Sequence, residues 1–178
     1  MTDAKPMPPP RVVLLGMMGS GKSSVGGALA DLTGWPFVDN DALVQAATGR
    51  TARELLAERG EAAMREAEGD ALRRGLAVER PAIVATAAGT VLEAQHRRLI
   101  DEGGFVVWLT AAPEVLAKRA AGAAHRPWLD GDPAAWFEQA AANRDPLYRS
   151  ISDLEIDTAR VQPSEAARRI VDALSAAG

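Results

Sequence analysis

Residues 11–15, Arg-Val-Val-Leu-Leu, form a short and nearly unbroken apolar run. That is the pattern of a strand buried on both faces of a sheet. Runs at 35–39, 82–85 and 105–109 read the same way, while 154–157 alternates apolar with charged residues and suits an edge strand. Between these runs the apolar positions recur at helical spacing. Val25, Ala28, Leu29 and Leu32 predict a helix over 24–33, stopped by Gly34. Further helices are predicted over 41–48 and 52–59, broken by Gly49 and Gly60, and over 61–78, 91–101, 113–121 and 133–144. The last, over 163–174, gathers Ala167, Ile170, Val171 and Leu174 on one face. Strands alternating with helices predict a three-layer α/β fold, its five-stranded parallel sheet covered on both faces. Ligands of such sheets sit beyond the carboxyl ends of the strands.

A length of 178 residues suits one domain with a real core, here 11–178. Residues 1–10 carry four prolines and little to bury, so a disordered arm is expected. Hydrophobic and charged contents of 47% and 25% are those of a soluble globular protein. A net charge of −4 argues against a dedicated nucleic-acid or membrane-surface binder. The absence of cysteine excludes disulfides and thiolate chemistry. His96 and His125 are too few for a metal cluster and are expected at the surface. No apolar run is long enough to span a membrane and no signal segment opens the chain, so a cytoplasmic protein is expected.

The chemistry concentrates in Gly16-Met17-Met18-Gly19-Ser20-Gly21-Lys22-Ser23, which fits G-x-x-x-x-G-K-[ST], the phosphate-binding P-loop, between a predicted strand and a predicted helix. Glycines let the chain wrap an anion with its N–H groups, and the helix N-terminus adds positive charge. Lys22 is expected to reach the β- and γ-phosphates and Ser23 to ligate Mg²⁺. Lys22 is one of three lysines against seventeen arginines, a sign that a compact ammonium is needed there. A guanine-reading N-K-x-D is absent, which argues against a GTPase. The third strand ends Thr86-Ala87-Ala88, without the carboxylate of the large ATPases. Asp39, at the end of the second strand, is the metal candidate, with a plain strand-end turn as the alternative. The strand-end rule gathers 16–23, Asp39, Asp41 and 87–89 around one crevice.

From Arg11 to Leu174 the chain resembles the shikimate kinases, small P-loop kinases. The resemblance rests on the P-loop, Asp39-x-Asp41, Gly60-Glu61 with Arg65-x-x-Glu68, Arg126-Pro127 with Leu129, Arg144-x-Pro146-Leu147-Tyr148 and Asp157-Thr158, in that order and spacing. It implies ATP-dependent phosphorylation of a shikimate hydroxyl, with Mg²⁺, a helical substrate-binding insertion over about 40–68 and a short lid over about 122–131. It further implies that Gly19, Ser20, Gly21, Lys22, Ser23 and Ser24 bind the nucleotide phosphates, with Arg119 and Arg160 beside the base. Ser23 and Asp39 would organise the metal. Asp41, Arg65, Ala88, Gly89 and Arg144 would bind the substrate, the two arginines taking its carboxylate and Glu68 steadying Arg65. Lys22, Asp41 and the lid residue Arg126 would carry catalysis. A monomer is expected, acting on a small hydroxy acid, with no nucleic-acid or membrane partner.

Other readings stand beside these. Arg119 and Arg160 read equally as solvated arginines, and Arg65 with Glu68 as a helix-surface pair. Met17 and Met18 read as loop fillers, Trp35 and Trp108 as core, and Trp128 as lid packing. The chain also departs from the family: Ala87 and Ala88 replace two of three glycines, and Leu56 and Met64 replace two aromatics of the substrate wall. These changes lie at the substrate end. They leave open a kinase for another polyhydroxy acid or cyclitol such as gluconate, or an impaired nucleotide-binding homologue.

Overall fold

The computed structural model describes residues 10–121 and 132–177. Five strands, β1 (Arg11–Leu15), β2 (Phe37–Asp39), β3 (Ala82–Ala85), β4 (Phe105–Thr110) and β5 (Leu154–Asp157), form one sheet in the order β2-β3-β1-β4-β5. Every pairing is parallel. The helices are α1 (Lys22–Thr33), α2 (Asn40–Thr48), α3 (Ala52–Leu76), α4 (Ala94–Gly103), α5 (Pro113–Ala121), α6 (Pro133–Ile151) and α7 (Pro163–Ala177).

The pleat of β1 divides the core. Val13 and Leu15 face a cluster with Leu72, Ile100, Trp108, Phe137 and Tyr148, under α3, α4 and α6. Val12 and Leu14 face a second cluster with Val25, Leu29, Ile156 and Ile170, under α1 and α7. A third, smaller cluster of Val44, Leu55, Met64 and Ala71 joins α2 to α3. The expected break at Gly60 is a kink inside α3, where φ is 83° and ψ 176°.

Several local expectations are corrected. The sixth helix does not stop at 144 but runs to Ile151 with Pro146 inside it. Pro146 is exposed, so water can serve the carbonyl that it cannot pair, and the buried Tyr148 beyond it holds the extra turns in place. Leu32 continues the apolar spacing of α1 yet is 53% exposed. His96 is buried instead of superficial, in the space left by the missing side chain of Gly69. Trp108 is core as expected, while Trp35 is only half-buried.

Adjacent glycines in α1 have opposite surroundings. A Cβ on Gly26 would collide with the Phe37 ring, whereas one on Gly27 would meet nothing within 4 Å. Gly26→Ala should therefore destabilise by about 1–3 kcal/mol through overpacking. Gly27→Ala should stabilise by about 0.5–1 kcal/mol, because alanine favours the helix. Paired thermal melts check this; equal shifts of one sign would contradict the packing described.

Candidate active site

The loop after β1 crosses the carboxyl edge of the sheet. Gly16 is obligatory there, because a Cβ would overlap the Leu109 carbonyl and the Ser20 hydroxyl. Gly21 caps α1 in the left-handed region, at φ 94°, and no side chain caps that end. The first N–H groups of a helix have no intrahelical acceptor, so this end suits an anion. Lys22 folds over the loop, its Nζ donating to Gly16 O at 2.8 Å and Met17 O at 3.0 Å. The Ser20 side chain points into the protein with its Oγ buried, and its N–H donates to Met17 O.

Asp39 ends β2 and caps α2 at once. Its Oδ1 accepts from Asp41 N at 3.0 Å and its Oδ2 from Ser23 Oγ at 2.9 Å. Both earlier readings of this residue therefore share one geometry, a turn carboxylate lying against the P-loop hydroxyl. Hydroxyl and carboxylate oxygens are the hard donors that Mg²⁺ takes, one or two from protein and the rest from water and phosphate. No group of three acidic, histidine or cysteine residues that could hold a metal occurs among the described residues.

Two clefts flank the loop. The smaller, about 490 Å³, is lined by Gly19, Gly21, Ser24, Arg119, Thr158 and residues 159–163, Arg160 among them. Arg119 is exposed but anchored. It donates to Gly19 O at 3.1 Å, to Thr158 Oγ1 at 3.0 Å and to Thr158 O at 2.8 Å. The Thr158 hydroxyl in turn donates to Ser20 O at 2.9 Å, so the base of this cleft is one hydrogen-bonded unit. Arg160 is largely exposed and pairs with Asp157 at 2.9 Å.

The larger cleft, about 730 Å³, brings together Asp41, Arg65, Ala88, Gly89 and Arg144. Arg65 donates to Glu68 at 2.9 Å and Glu61 at 3.3 Å. A Cβ on Gly89 would overlap its guanidinium, so a side chain there would push Arg65 from this position. Burial holds the Glu68 carboxyl above the ordinary carboxylate range, against the opposing pull of Arg65. Leu56 and Met64 line the cleft as aliphatic wall.

Some of this was not foreseen. Met17 is buried, and its sulfur lies 3.6 Å from Arg144 Nη1 and 3.9 Å from Tyr148 Oη, so it is more than a filler. Met18 lines the larger cleft. Tyr148 Oη donates to Ala88 O at 2.7 Å, tying α6 to the loop after β3, and burial raises its pKa. Trp136 also lines the cleft, and its place eight residues before Arg144, on one helical face, was the available signal. Arg126, with the rest of the expected lid over 122–131, lies outside the described residues, as do His125, Trp128 and residues 1–9 of the expected arm.

Comparison with known proteins accords with this geometry. A sequence profile described as "Shikimate kinase" matches residues 18–175. The shikimate kinase of Symbiobacterium thermophilum is 39% identical over 170 residues, covering 94% of this chain and 97% of that protein. That of Moorella thermoacetica is 39% identical over 168 residues, 94% and 96% of the two chains. Among solved structures, shikimate kinase from Acinetobacter baumannii in complex with shikimate superposes with a TM-score of 0.89 at 29% identity, covering 94% of each chain.

The state of Glu68 can be tested by pH. Its folded pKa is raised, so its contribution to stability is present at low pH and lost as pH rises through that value. Glu68→Gln keeps an oxygen for Arg65 without the buried charge, and Arg65 retains Glu61. The variant should melt at or above the wild type at pH 8, with the difference shrinking as the pH falls. A lower melting temperature at pH 8 would contradict the raised pKa.

Proposed function

The chain belongs to the shikimate kinase family, and from that premise we propose that it transfers the γ-phosphoryl group of ATP to a ring hydroxyl of shikimate. The products are shikimate 3-phosphate and ADP, within aromatic amino-acid biosynthesis by way of chorismate. The observation that carries this reading is the larger cleft, which sets two guanidinium groups and Asp41 beside the P-loop.

In this proposal the nucleotide occupies the smaller cleft, with Arg119 and Arg160 beside the base and its phosphates on the backbone of Gly19 to Ser24. Lys22 turns from the loop carbonyls to the β- and γ-phosphate oxygens and neutralises charge there. Ser23 and Asp39 would hold Mg²⁺, which when bound adds further positive charge at those oxygens. The planar forks of Arg65 and Arg144 take the acceptor carboxylate, a task that suits arginine better than lysine. With the carboxylate fixed, Asp41 accepts a hydrogen bond from the attacking hydroxyl and takes up its proton as the O–P bond forms. Ala88 and Gly89 close the cleft from the strand side. Most of the rate comes from positioning and from charge aimed at the transferred group.

Three further assignments rest on the sequence resemblance alone: a catalytic role for Arg126 as a lid residue, a substrate-binding insertion over about 40–68, and a cytoplasmic monomer. No helix among the described residues is long and apolar enough to cross a membrane.

ADP release in the presence of ATP and Mg²⁺ tests the acceptor directly. Shikimate should support turnover well above that with gluconate or no acceptor, and Asp41→Asn should lower kcat by about 10²–10⁴-fold. Efficient turnover of gluconate but not shikimate would overturn the proposal.

A further inference from the structure

The two arginines of the larger cleft are held by different means. Arg65 is paired with Glu68 and Glu61. Arg144 forms no ion pair among the described residues. Its guanidinium lies 3.6 Å from the Met17 sulfur and 5.7 Å from the centroid of the Trp136 ring. An aromatic face attracts a cation without pairing off its charge, so Trp136 can position Arg144 without an ion pair, although Glu68 lies within electrostatic reach of it.

Trp136 is itself well fixed. It stands near the start of α6, where Asp132 accepts from Ala134 N at 3.0 Å and caps the helix. Phe137, fully buried, meets its ring edge to face with centroids 5.0 Å apart. The indole is only partly buried and lines the larger cleft, as the one aromatic side chain among the cleft's described residues. The remaining apolar lining, including Met18, Leu56, Met64 and Ala88, is aliphatic or small.

We propose that Trp136 is a specificity-determining residue of the acceptor site, acting as a flat wall for the C–H face of a ring-shaped hydroxy acid and as an uncharged brace for Arg144. The electron-rich face of an indole suits both the weakly positive C–H edge of a carbon ring and a guanidinium. One side chain then sets where the ring lies and where its carboxylate is gripped. This inference rests on the assignment of the larger cleft to the acceptor.

Trp136→Phe and Trp136→Leu separate aromaticity from bulk, since both replacements are large and apolar. The KM for shikimate should stay within about threefold of wild type in the Phe variant and rise about tenfold in the Leu variant. The KM for ATP should be unchanged in both, because the nucleotide cleft does not include this residue. Adding Met64→Phe to Trp136→Leu returns a ring to the cleft from α3 and should recover part of the loss. Phe and Leu variants that behave alike would overturn the proposal, as would a rise in the ATP KM matching that for shikimate. Failure of the acceptor assignment shows elsewhere, as a wild-type protein that releases no ADP with shikimate. Failure of the present inference shows in the variants of an active wild type.

Discussion

A guanidinium lies where a side chain would otherwise stand, and much of the larger cleft is arranged around it. Arg65 occupies the space of the missing Gly89 Cβ. Its position is held from behind by Glu68, whose burial is costly and is tolerated because the arginine shares it. Arg144 reaches the same cleft from α6 and rests on Met17, the second residue of the phosphate loop. Tyr148, one turn further along α6, bonds Ala88 in the loop that carries Gly89. The two arginines, the phosphate loop and the loop after β3 are therefore mechanically one body.

The sheet decides why these pieces meet. Parallel strands end on one edge, and the order β2-β3-β1-β4-β5 places the end of β3 between those of β2 and β1. Asp39, the P-loop and residues 87–89 are neighbours for that reason alone. Asp39 shows how closely structure and chemistry are combined, since one carboxylate both caps α2 and meets the Ser23 hydroxyl. On the other side of the loop, Arg119 and Thr158 brace Gly19 and Ser20 from α5 and from the end of β5. The smaller cleft is thus braced from α5 and the end of β5, and the larger one from α3 and α6.

The strands and most helices were legible because burial on both faces leaves an unmistakable apolar run, and the P-loop because its spacing is specific. The side chains that line the larger cleft through charge were legible by type and order. What sequence could not show was contact between distant segments. Met17 looked dispensable because nothing local reveals that Arg144 and Tyr148 reach its sulfur from α6. Trp136 left a trace only in its helical phase with Arg144. His96 looked like a surface histidine, although Ile100 one turn on shares its buried face. The helix expected to end at 144 runs on to Ile151 through Pro146, with Tyr148 buried in the added turns. Local rules failed wherever a packed partner lay on another element.

The claim on which the rest turns is that Arg65 and Arg144 together grip the carboxylate of the acceptor. A cycle over protein and ligand measures that coupling: the affinities of shikimate and its methyl ester for the wild type and for Arg65→Met/Arg144→Met. The wild type should bind the acid far more tightly than the ester, and the double variant should bind the two about equally. A preference for the acid that survives intact in the double variant would show that the carboxylate is held elsewhere.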